Sequence, residues 1–264
     1  MMSRTGAVHG RWFVGLLAVA VGMSWSVASA EQRPFGPGER LVYELSWFTL
    51  IGGTATLDVQ EAERLETPVF RFRSTAKSNA FVSMFFPVED HIESLVDQET
   101  LSAIRLDVKQ RQGKRRRNRV TEFDQIGHVA INVKNGQRKI HPIPSRVQDS
   151  LSCLYYFRSL PPIRVGETVT IDVHEGGKNW KLAIKGLNRQ KIRTPVGEFQ
   201  TIRTSAHVEF EGVFLEKGDV FIWFTDDARR LPVQMESQIK IGRVSARLIE
   251  YRAGLPPLSQ AAAP

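Results

Sequence analysis

The sequence predicts a mainly β protein, an open antiparallel half-barrel or β-spiral with one mid-chain α-helix. Apolar and polar residues alternate through most of the chain, which is the pattern of strands that are buried on one face. Turn-forming residues separate these segments, and helical segments do not interleave with them, so antiparallel pairing is favoured over a parallel sheet. Roughly a dozen strands follow from the spacing of the turns.

The alternation is clearest in five segments, and the turns are clearest at four glycine-containing pairs. The segments lie at residues 41–47, 55–59, 104–109, 169–174 and 233–240. The turns are predicted at Gly52-Gly53, Asn135-Gly136, Gly176-Gly177 and Glu211-Gly212. Asn135-Gly136 is the strongest hairpin signal, because both residue types tolerate a positive φ. The stretches that begin at Gly38 and Gly166 resemble each other, either because the chain holds two similar β halves or by chance.

One segment, QDSLSCLYYFRSLPP at residues 148–162, breaks the alternation. Asp149 or Ser150 can cap the start of a helix there, and Pro161-Pro162 would end it. The residues that fall at helical spacing are Leu151, Leu154, Tyr155 and Arg158. We therefore expect a helix of about ten residues whose apolar stripe lies on the sheet.

The N-terminal residues have the features of a secretory signal. Arg4 and Arg11 precede an apolar run at residues 12–21, and Ala28-Ser29-Ala30 provides the small residues of a cleavage site. We therefore expect cleavage after Ala30. The residue directly after that site is not a cysteine, so we expect that the mature chain is not a lipoprotein. Cleavage lowers the formal net charge from +8 to +6.

The predicted organisation has three parts. They are a signal peptide at residues 1–30, one β domain at 31–253 and a disordered tail at 254–264. No segment after residue 30 is apolar for long enough to span a membrane as a helix, so the mature chain is expected in the periplasm. The tail is proline-rich and uncharged, which is typical of disorder.

Several kinds of chemistry are not indicated. The six histidines are isolated from one another, so the sequence predicts neither a metal site nor a cofactor. Cys153 is the only cysteine, and its apolar neighbours favour a buried thiol over a nucleophile. Ser74 to Lys77 matches the Ser-x-x-Lys pattern of penicillin-recognising enzymes, but these residues continue an alternating strand rather than opening a helix.

The segment at residues 109–119 is the strongest charge feature, because seven of its eleven residues are basic. An exported chain is not expected to meet nucleic acid, so anionic lipid headgroups or other envelope anions are the predicted counterparts. The candidate contact residues are Lys114, Arg115, Arg116, Arg117 and Arg119. The alternative is that Gly113 marks a turn and that the basic residues form the solvated tip of a hairpin.

The stretch FIWFTDDARRLP holds two adjacent carboxylates, which are either a catalytic pair or part of a bend between two strands. Adjacent side chains on an extended chain point in opposite directions, and aspartate commonly stabilises turns, so the bend is favoured. The predicted turn residues are Asp226, Asp227, Arg230 and Pro232, and either Arg229 or Arg230 can neutralise a carboxylate there. The strand before the bend is apolar on both faces, which predicts that both faces are covered.

Three motifs together resemble an exported bacterial family, the domain-of-unknown-function family 3108. They are FGPGERLVYELSWFTLIGGTATLDV near the start, DSLSCLYYFRSL in the middle and WFTDDARRLPVQMES near the end. The resemblance implies a periplasmic, mostly β protein that lacks an established activity. By looser analogy of fold, such proteins look similar to half-barrel lipoprotein carriers of the Lol type, an analogy that transfers no function.

The sequence favours a non-catalytic role, in which the concave face of the sheet binds an apolar or amphipathic envelope molecule. The candidate lining residues are Trp47, Phe48, Tyr155, Tyr156 and Trp223. One alternative is a structural or interaction protein of envelope assembly, with an envelope protein as partner and no ligand. Another is a hydrolase that uses Asp226 or Asp227.

Overall fold

The computed structural model describes residues 33–134, 136–210, 213–214, 220–239 and 242–255. The predicted signal peptide, Asn135, the Glu211-Gly212 turn and residues 256–264 lie outside these ranges. The first residues of the predicted tail are within them, and the Leu255 backbone N–H donates to the Pro37 carbonyl at 2.8 Å. The tail therefore begins with a bonded residue, whereas the sequence predicted disorder from residue 254.

The described chain forms fifteen strands and two helices. The first strands are β1 (Arg40–Trp47), β2 (Leu50–Arg64), β3 (Thr67–Ser78), β4 (Val88–Asp97), β5 (Ala103–Gln112), β6 (Arg115–Asp124), β7 (Val129–Lys134) and β8 (Gln137–Pro142). The remaining strands are β9 (Thr168–Glu175), β10 (Lys178–Thr194), β11 (Gly197–Phe210), β12 (Val213–Phe214), β13 (Val220–Thr225), β14 (Pro232–Ile239) and β15 (Gly242–Arg252). The helices are α1 (Ala80–Ser83) and α2 (Ser152–Ser159).

The named strands form one antiparallel sheet with the order β8-β7-β6-β5-β4-β3-β2-β1-β15-β14-β13-β11-β10-β9, and β12 pairs with β11. Within the described residues no backbone ladder joins the two outer strands, β8 and β9, so the sheet is open. The predicted fold class, mainly β with an open antiparallel sheet and a mid-chain helix, is confirmed. The structure adds α1, a single turn between β3 and β4.

Side chains connect the two ends of the sheet, together with one isolated backbone bridge between Gln148, in the segment after β8, and Val173 of β9. The Asn179 amide donates to the Pro142 carbonyl at 2.8 Å, which joins β10 to the end of β8. Arg119 of β6 forms an ion pair with Glu175 of β9. We call this line of contacts the seam. It places residues from distant parts of the chain side by side, and the candidate site lies along it.

The mid-chain helix α2 is capped and buried as the sequence predicted. The Asp149 carboxylate accepts from the backbone N–H groups of Leu151 and Ser152 at 2.7 and 2.8 Å. Tyr155 is fully buried, and its ring stacks on Phe72 of β3 with centroids 3.9 Å apart. The helix therefore joins the core that β1, β2 and β3 form.

Strand β13 is covered on both faces, in agreement with the sequence. Ile222 and Phe224 pack in one apolar cluster, where the Phe224 ring lies 5.0 Å from the ring of Phe157 in α2. Phe221 and Trp223 pack in the other large cluster. A strand between two apolar layers requires a continuous apolar run, which is what this segment has.

Two predicted turns are confirmed and one is wrong. Gly176 and Gly177 have φ of 64° and 83° and connect β9 to β10, and β7 pairs with β8 around position 136. Gly53, in contrast, lies inside β2. A Cβ at Gly53 would lie 2.1 Å from the Lys77 carbonyl oxygen, so close approach of β3 explains the glycine. The actual turn lies at Phe48, which has φ of 52°.

The resemblance between the stretches at Gly38 and Gly166 has a structural counterpart. Both glycines have φ of 88°. The Gly38 N–H donates to the Val59 carbonyl and the Gly166 N–H donates to the Gly186 carbonyl, each at 2.8 Å. The same turn thus leads into β1 and into β9, and a glycine suits it because other residues rarely adopt such a φ.

The connections between strands fall at two opposite ends of the sheet. The end that we call the turn end carries the connections at residues 48–49, 79–87, 113–114 and 176–177. The end that we call the helix end carries those at 65–66, 98–102, 125–128, 195–196 and 226–231, together with the segment that contains α2.

Candidate functional site

An apolar cavity of 330 Å³ lies between the start of α2 and the strands β9, β10 and β11. It is lined by Ser150, Cys153, Val173, Glu175, Trp180, Leu182 and Val208. Leu182 is half-buried and Val208 is exposed, so apolar side chains face an open space rather than the filled core. Such a cavity suits an acyl chain or another apolar group.

A basic cleft of 760 Å³ lies along the seam, toward the turn end. It is lined by Arg117, Arg119, Asn132, Val133, Gln137, Lys139, His141, Glu175, Gly176, Gly177, Lys178 and Trp180. Four of these side chains are cationic under ordinary conditions, against the single carboxylate of Glu175. The cleft therefore has a positive potential that favours an anionic group.

The cavity and the cleft are neighbours, because Glu175 and Trp180 line both of them. The Trp180 indole N–H donates to the Glu175 carbonyl at 3.1 Å, which fixes the ring at the boundary. The Arg119 guanidinium holds the Glu175 carboxylate from the side of the cleft. The apolar cavity and the cationic cleft thus adjoin at an aromatic ring and an ion pair, and we call the two together the joined site.

His174 stabilises the seam beside this site. Its Nδ1 lies 2.7 Å from the Asn179 amide oxygen and its Nε2 lies 3.3 Å from the Asn132 amide nitrogen. These partners fit a neutral ring that donates from Nδ1 and accepts at Nε2. Burial lowers the pKa of His174, and the nearby Arg119 lowers it further, so the neutral form is maintained.

Cys153 contributes an apolar wall rather than a nucleophile. Burial raises the pKa of its thiol to about 12, and the carboxylate of Asp149 acts in the same direction. The reactive thiolate is therefore rare at neutral pH. The residue as a whole is half-buried and borders the cavity, whereas the sequence predicted a buried structural cysteine.

The structure does not bring the five predicted lining residues together. Tyr155 and Trp223 are buried in the core, so they fill space rather than line a cavity. Tyr156 is half-buried and packs against two apolar clusters. Trp47 and Phe48 are exposed at the tip of the β1–β2 hairpin. The continuous apolar run of β13 correctly predicted that both faces are covered, but it could not show whether protein or a ligand covers the second face.

The predicted basic segment divides into two groups. Lys114, Arg115 and Arg116 are exposed at the β5–β6 turn, and Arg117 is exposed at the basic cleft. Arg119 differs from the prediction, because it is largely buried and its guanidinium pairs with Glu175. Gly113 has φ of 60° and forms the predicted turn, so the hairpin interpretation describes the local backbone correctly.

The two adjacent aspartates lie in a bend, and each is paired with an arginine. Asp226 contacts Arg189 at 2.7 Å, and Asp227 is held by the Arg229 side chain at 2.5 and 3.0 Å. Asp227 Oδ1 also accepts from the Thr225 hydroxyl and from the backbone N–H groups of Arg229 and Arg230. The ion-pair partner of Asp227 is therefore Arg229, one of the two arginines that the sequence offered. Arg230 has a φ of 45° and its backbone forms part of the turn.

This arrangement does not suit acid–base chemistry. Partial burial would raise the pKa of Asp227, but the hydrogen bonds from Arg229 and Thr225 lower it below its ordinary value. The carboxylate thus stays ionised and engaged in the turn. A cavity of 110 Å³ borders both aspartates, but its other walls are mainly apolar side chains and prolines.

Within the ranges that the structure describes, no group of three or more histidine, cysteine, aspartate or glutamate side chains could hold a metal ion. In the same ranges, no helix is long and apolar enough to cross a membrane.

Sequence reasoning missed Glu175, Trp180, Lys139 and Lys178, which define the joined site. The stretch HEGGKNW carries a faint signal, since a lysine directly follows the Gly-Gly turn and a tryptophan comes two residues after it. Its meaning depends on the approach of β6 and β8 across the seam. That approach involves residues 56 positions apart in the case of Arg119 and Glu175, so it cannot be inferred from local pattern.

Comparison with known proteins gives the family and supports the fold. The sequence pattern of the family described as "Protein of unknown function (DUF3108)" matches residues 42–249. The chain belongs to this family, as its three motifs indicated. The family description assigns no catalytic activity. A search of curated proteins finds no match.

Solved structures include a similar fold. A β-barrel-like protein of the domain of unknown function DUF1849 from Brucella abortus has a TM-score of 0.56 at 8% identity. The match covers 83% of this chain and 98% of that one. The hypothetical protein CT021 from Chlamydia trachomatis has a TM-score of 0.36 at 11% identity, covering 86% of this chain and 92% of that one. The Brucella structure shows a shared fold and nothing about function.

Proposed function

We propose that this protein is an exported, non-catalytic binder of an anionic amphipathic molecule of the cell envelope. The observation that carries the proposal is that the apolar cavity and the basic cleft share Glu175 and Trp180. A ligand with an acyl chain and an anionic head would place its acyl chain against Leu182 and Val208 and its head among the cationic side chains of the basic cleft.

The two parts of the site contribute differently to binding. Apolar burial supplies free energy in proportion to the area removed from water, at about 25 cal/mol per Å². The cations around the cleft supply orientation and selectivity, since an anionic head pairs with Arg117 and Lys139 and an uncharged head does not. Trp180, with an apolar body and a polar N–H, suits the boundary between the two environments.

Export is part of this proposal. It is supported by the basic residues, the apolar run and the small residues that precede Glu31 in the sequence. The direct test is N-terminal sequencing of the chain recovered from the periplasm. We expect Glu31 as the first residue, whereas an uncleaved chain recovered with membranes would contradict the export step.

Binding can be tested by calorimetric titration with lysophosphatidylglycerol below its critical micelle concentration, with dodecyl maltoside as the uncharged comparison. Val208→Trp should fill the apolar cavity and abolish binding of both probes. His207→Trp is the matched control, because neighbouring side chains on a strand point to opposite faces. It should leave both affinities unchanged.

The cationic part of the site is tested by a matched pair of variants on β8. Lys139→Gln should weaken the binding of lysophosphatidylglycerol at least about tenfold, as expected for the loss of a charge-assisted contact. The affinity for dodecyl maltoside should not change. Arg138→Gln, on the adjacent exposed position, should change neither affinity. Equal effects of Lys139→Gln and Arg138→Gln, or failure of the wild-type chain to bind either probe, would contradict the proposal.

A further inference from the structure

The turn end of the sheet exposes a set of large apolar side chains outside the joined site. They are Trp47, Phe48, Leu50, Ile51, Phe81, Met84, Phe85 and Phe86. Met84 is 71% exposed and Phe85 is 77% exposed, so these side chains are not at the margin of a core. We call this set the apolar tip. Single exposed apolar residues are ordinary on protein surfaces, but eight on two adjacent loops are not.

The two loops that carry the apolar tip are held together. The Asn79 backbone N–H donates to the Gly52 carbonyl at 2.8 Å, and its side-chain amide donates to the Ile51 carbonyl at 2.7 Å. Asn79 also caps α1, since its side-chain oxygen accepts from the Val82 N–H at 2.9 Å. One asparagine thus fixes the α1 loop against the β1–β2 hairpin, and the apolar tip has a defined shape.

A basic rim adjoins the apolar tip on the side of β5 and β6. The Gly113 N–H donates to the Pro87 carbonyl at 2.8 Å, which attaches the β5–β6 turn to the end of the α1 loop. The ring of Phe86 lies so close to Gly113 that a Cβ there would meet it at 2.6 Å. Lys114, Arg115 and Arg116 directly follow this contact and are exposed.

The geometry points to a docking surface for an anionic lipid bilayer, formed by the apolar tip and the basic rim. Aromatic and aliphatic side chains gain free energy by entering the region of the headgroups and the first acyl carbons. Lysine and arginine beside them gain by approaching anionic headgroups. The two features face the same end of the sheet, which is the arrangement that a planar anionic surface requires. A protein partner of neutral or basic surface would not use the rim.

Docking on a bilayer rests on other residues than ligand binding does, so either can fail while the other holds.

Co-sedimentation with vesicles tests the surface directly. One set of vesicles is phosphatidylcholine alone, and the other contains equal parts of phosphatidylcholine and phosphatidylglycerol. We expect the wild-type chain to bind the anionic set and the double variant Met84→Ser, Phe85→Ser to bind at least about tenfold less, given the apolar area removed. The matched control is Leu65→Ser with Ile126→Ser, which removes side chains 90% and 94% exposed at the helix end. It should bind like the wild-type chain.

The basic rim is tested by three single variants, Lys114→Gln, Arg115→Gln and Arg116→Gln. Each should lower partitioning to the anionic vesicles about fivefold, and raising the salt concentration should lower it further. Arg164→Gln, Lys191→Gln and Arg193→Gln at the helix end are the charge control and should have no such effect. Circular dichroism of every variant checks folding.

Three results would overturn the docking surface. The first is equal sedimentation of the wild-type chain and the Met84→Ser, Phe85→Ser variant. The second is no preference for anionic over neutral vesicles. The third is a stable dimer in analytical ultracentrifugation that this variant abolishes, because a second copy of the chain would then occupy the apolar tip. In a Trp47→Phe background, which removes the tryptophan of the apolar tip, Phe85→Trp gives a second readout: brominated lipids should quench the emission that it adds and should not quench the emission that Leu65→Trp adds.

Discussion

Arg158 and Glu39 form a fully buried, two-pronged ion pair between the helix and the start of the sheet. The Arg158 Nη1 lies 2.7 Å from Glu39 Oε1, and its Nη2 lies 2.9 Å from Oε2. Nη2 also donates to the carbonyls of Pro34 and Arg229 at 3.0 and 3.2 Å. Burial would lower the pKa of Arg158, but the adjacent carboxylate raises it, so the guanidinium stays charged.

This pair connects the three motifs that identified the family. Glu39 comes from the first motif, Arg158 from the second, and Arg229 belongs to the third. The Tyr43 hydroxyl adds a second link between the first and third motifs, since it donates to the Pro232 carbonyl at 2.8 Å. The three motifs therefore meet where the helix joins both halves of the sheet.

We predict that breaking the pair destabilises the fold strongly. Arg158→Met or Glu39→Gln should each lower the free energy of unfolding by about 3–5 kcal/mol, because the remaining group is left buried and unpaired. The double variant should lose much less than the sum. Urea unfolding measures these losses. Lys181→Gln, which breaks the exposed ion pair with Asp172, is the control and should lower the free energy of unfolding by only about 0–1 kcal/mol. Additive losses would contradict the coupling.

Asp227 should act through the turn rather than through chemistry. Asp227→Asn keeps an oxygen at the position that accepts from Thr225 and from two backbone N–H groups, so it should cost little stability. Asp227→Ala loses these bonds and should unfold more easily by about 1–2 kcal/mol. Guanidinium unfolding of both variants makes the comparison. If both are as stable as the wild-type chain while an envelope phenotype disappears in both, the hydrolase alternative must be reopened.

Tyr155 should be a core residue whose hydroxyl is dispensable. Its hydroxyl is buried and has no hydrogen-bond partner within the described residues. Tyr155→Phe should therefore leave stability unchanged or raise it, since no bond is lost. Tyr155→Ala should cost about 3–5 kcal/mol, because it leaves a cavity against Phe72. Thermal unfolding of the two variants measures both effects. A large loss of stability in Tyr155→Phe would indicate that the hydroxyl has a bound partner.

The seam should weaken in mild acid through His174. The ring is neutral in the folded chain and its pKa is lowered, so the unfolded chain binds more protons as pH falls through about 6.5. Stability that is present above this pH is therefore lost below it. The wild-type chain should lose free energy of unfolding relative to His174→Gln between about pH 8 and pH 5. A constant difference across that range would show that His174 does not titrate with unfolding.

Local patterns predicted the strands, the capped helix and the bend because each depends on neighbours in sequence. Gly52-Gly53 was misread as a turn, since the close approach of Lys77 that requires Gly53 involves a different strand. Arg158 fell on the predicted apolar stripe of the helix, which is a signal for a buried partner, but nothing local identified Glu39. The joined site was missed because it forms where β6 and β8 meet β9 and β10 across the seam.

The central claim is that the joined cavity and cleft hold an anionic amphipathic molecule. Native mass spectrometry of the chain released gently from the periplasm tests it most directly. The account predicts that the wild-type chain and His207→Trp carry the added mass of an anionic acyl-chain lipid, and that Val208→Trp does not. Bare masses for all three chains, or an added mass that Val208→Trp retains, would contradict it.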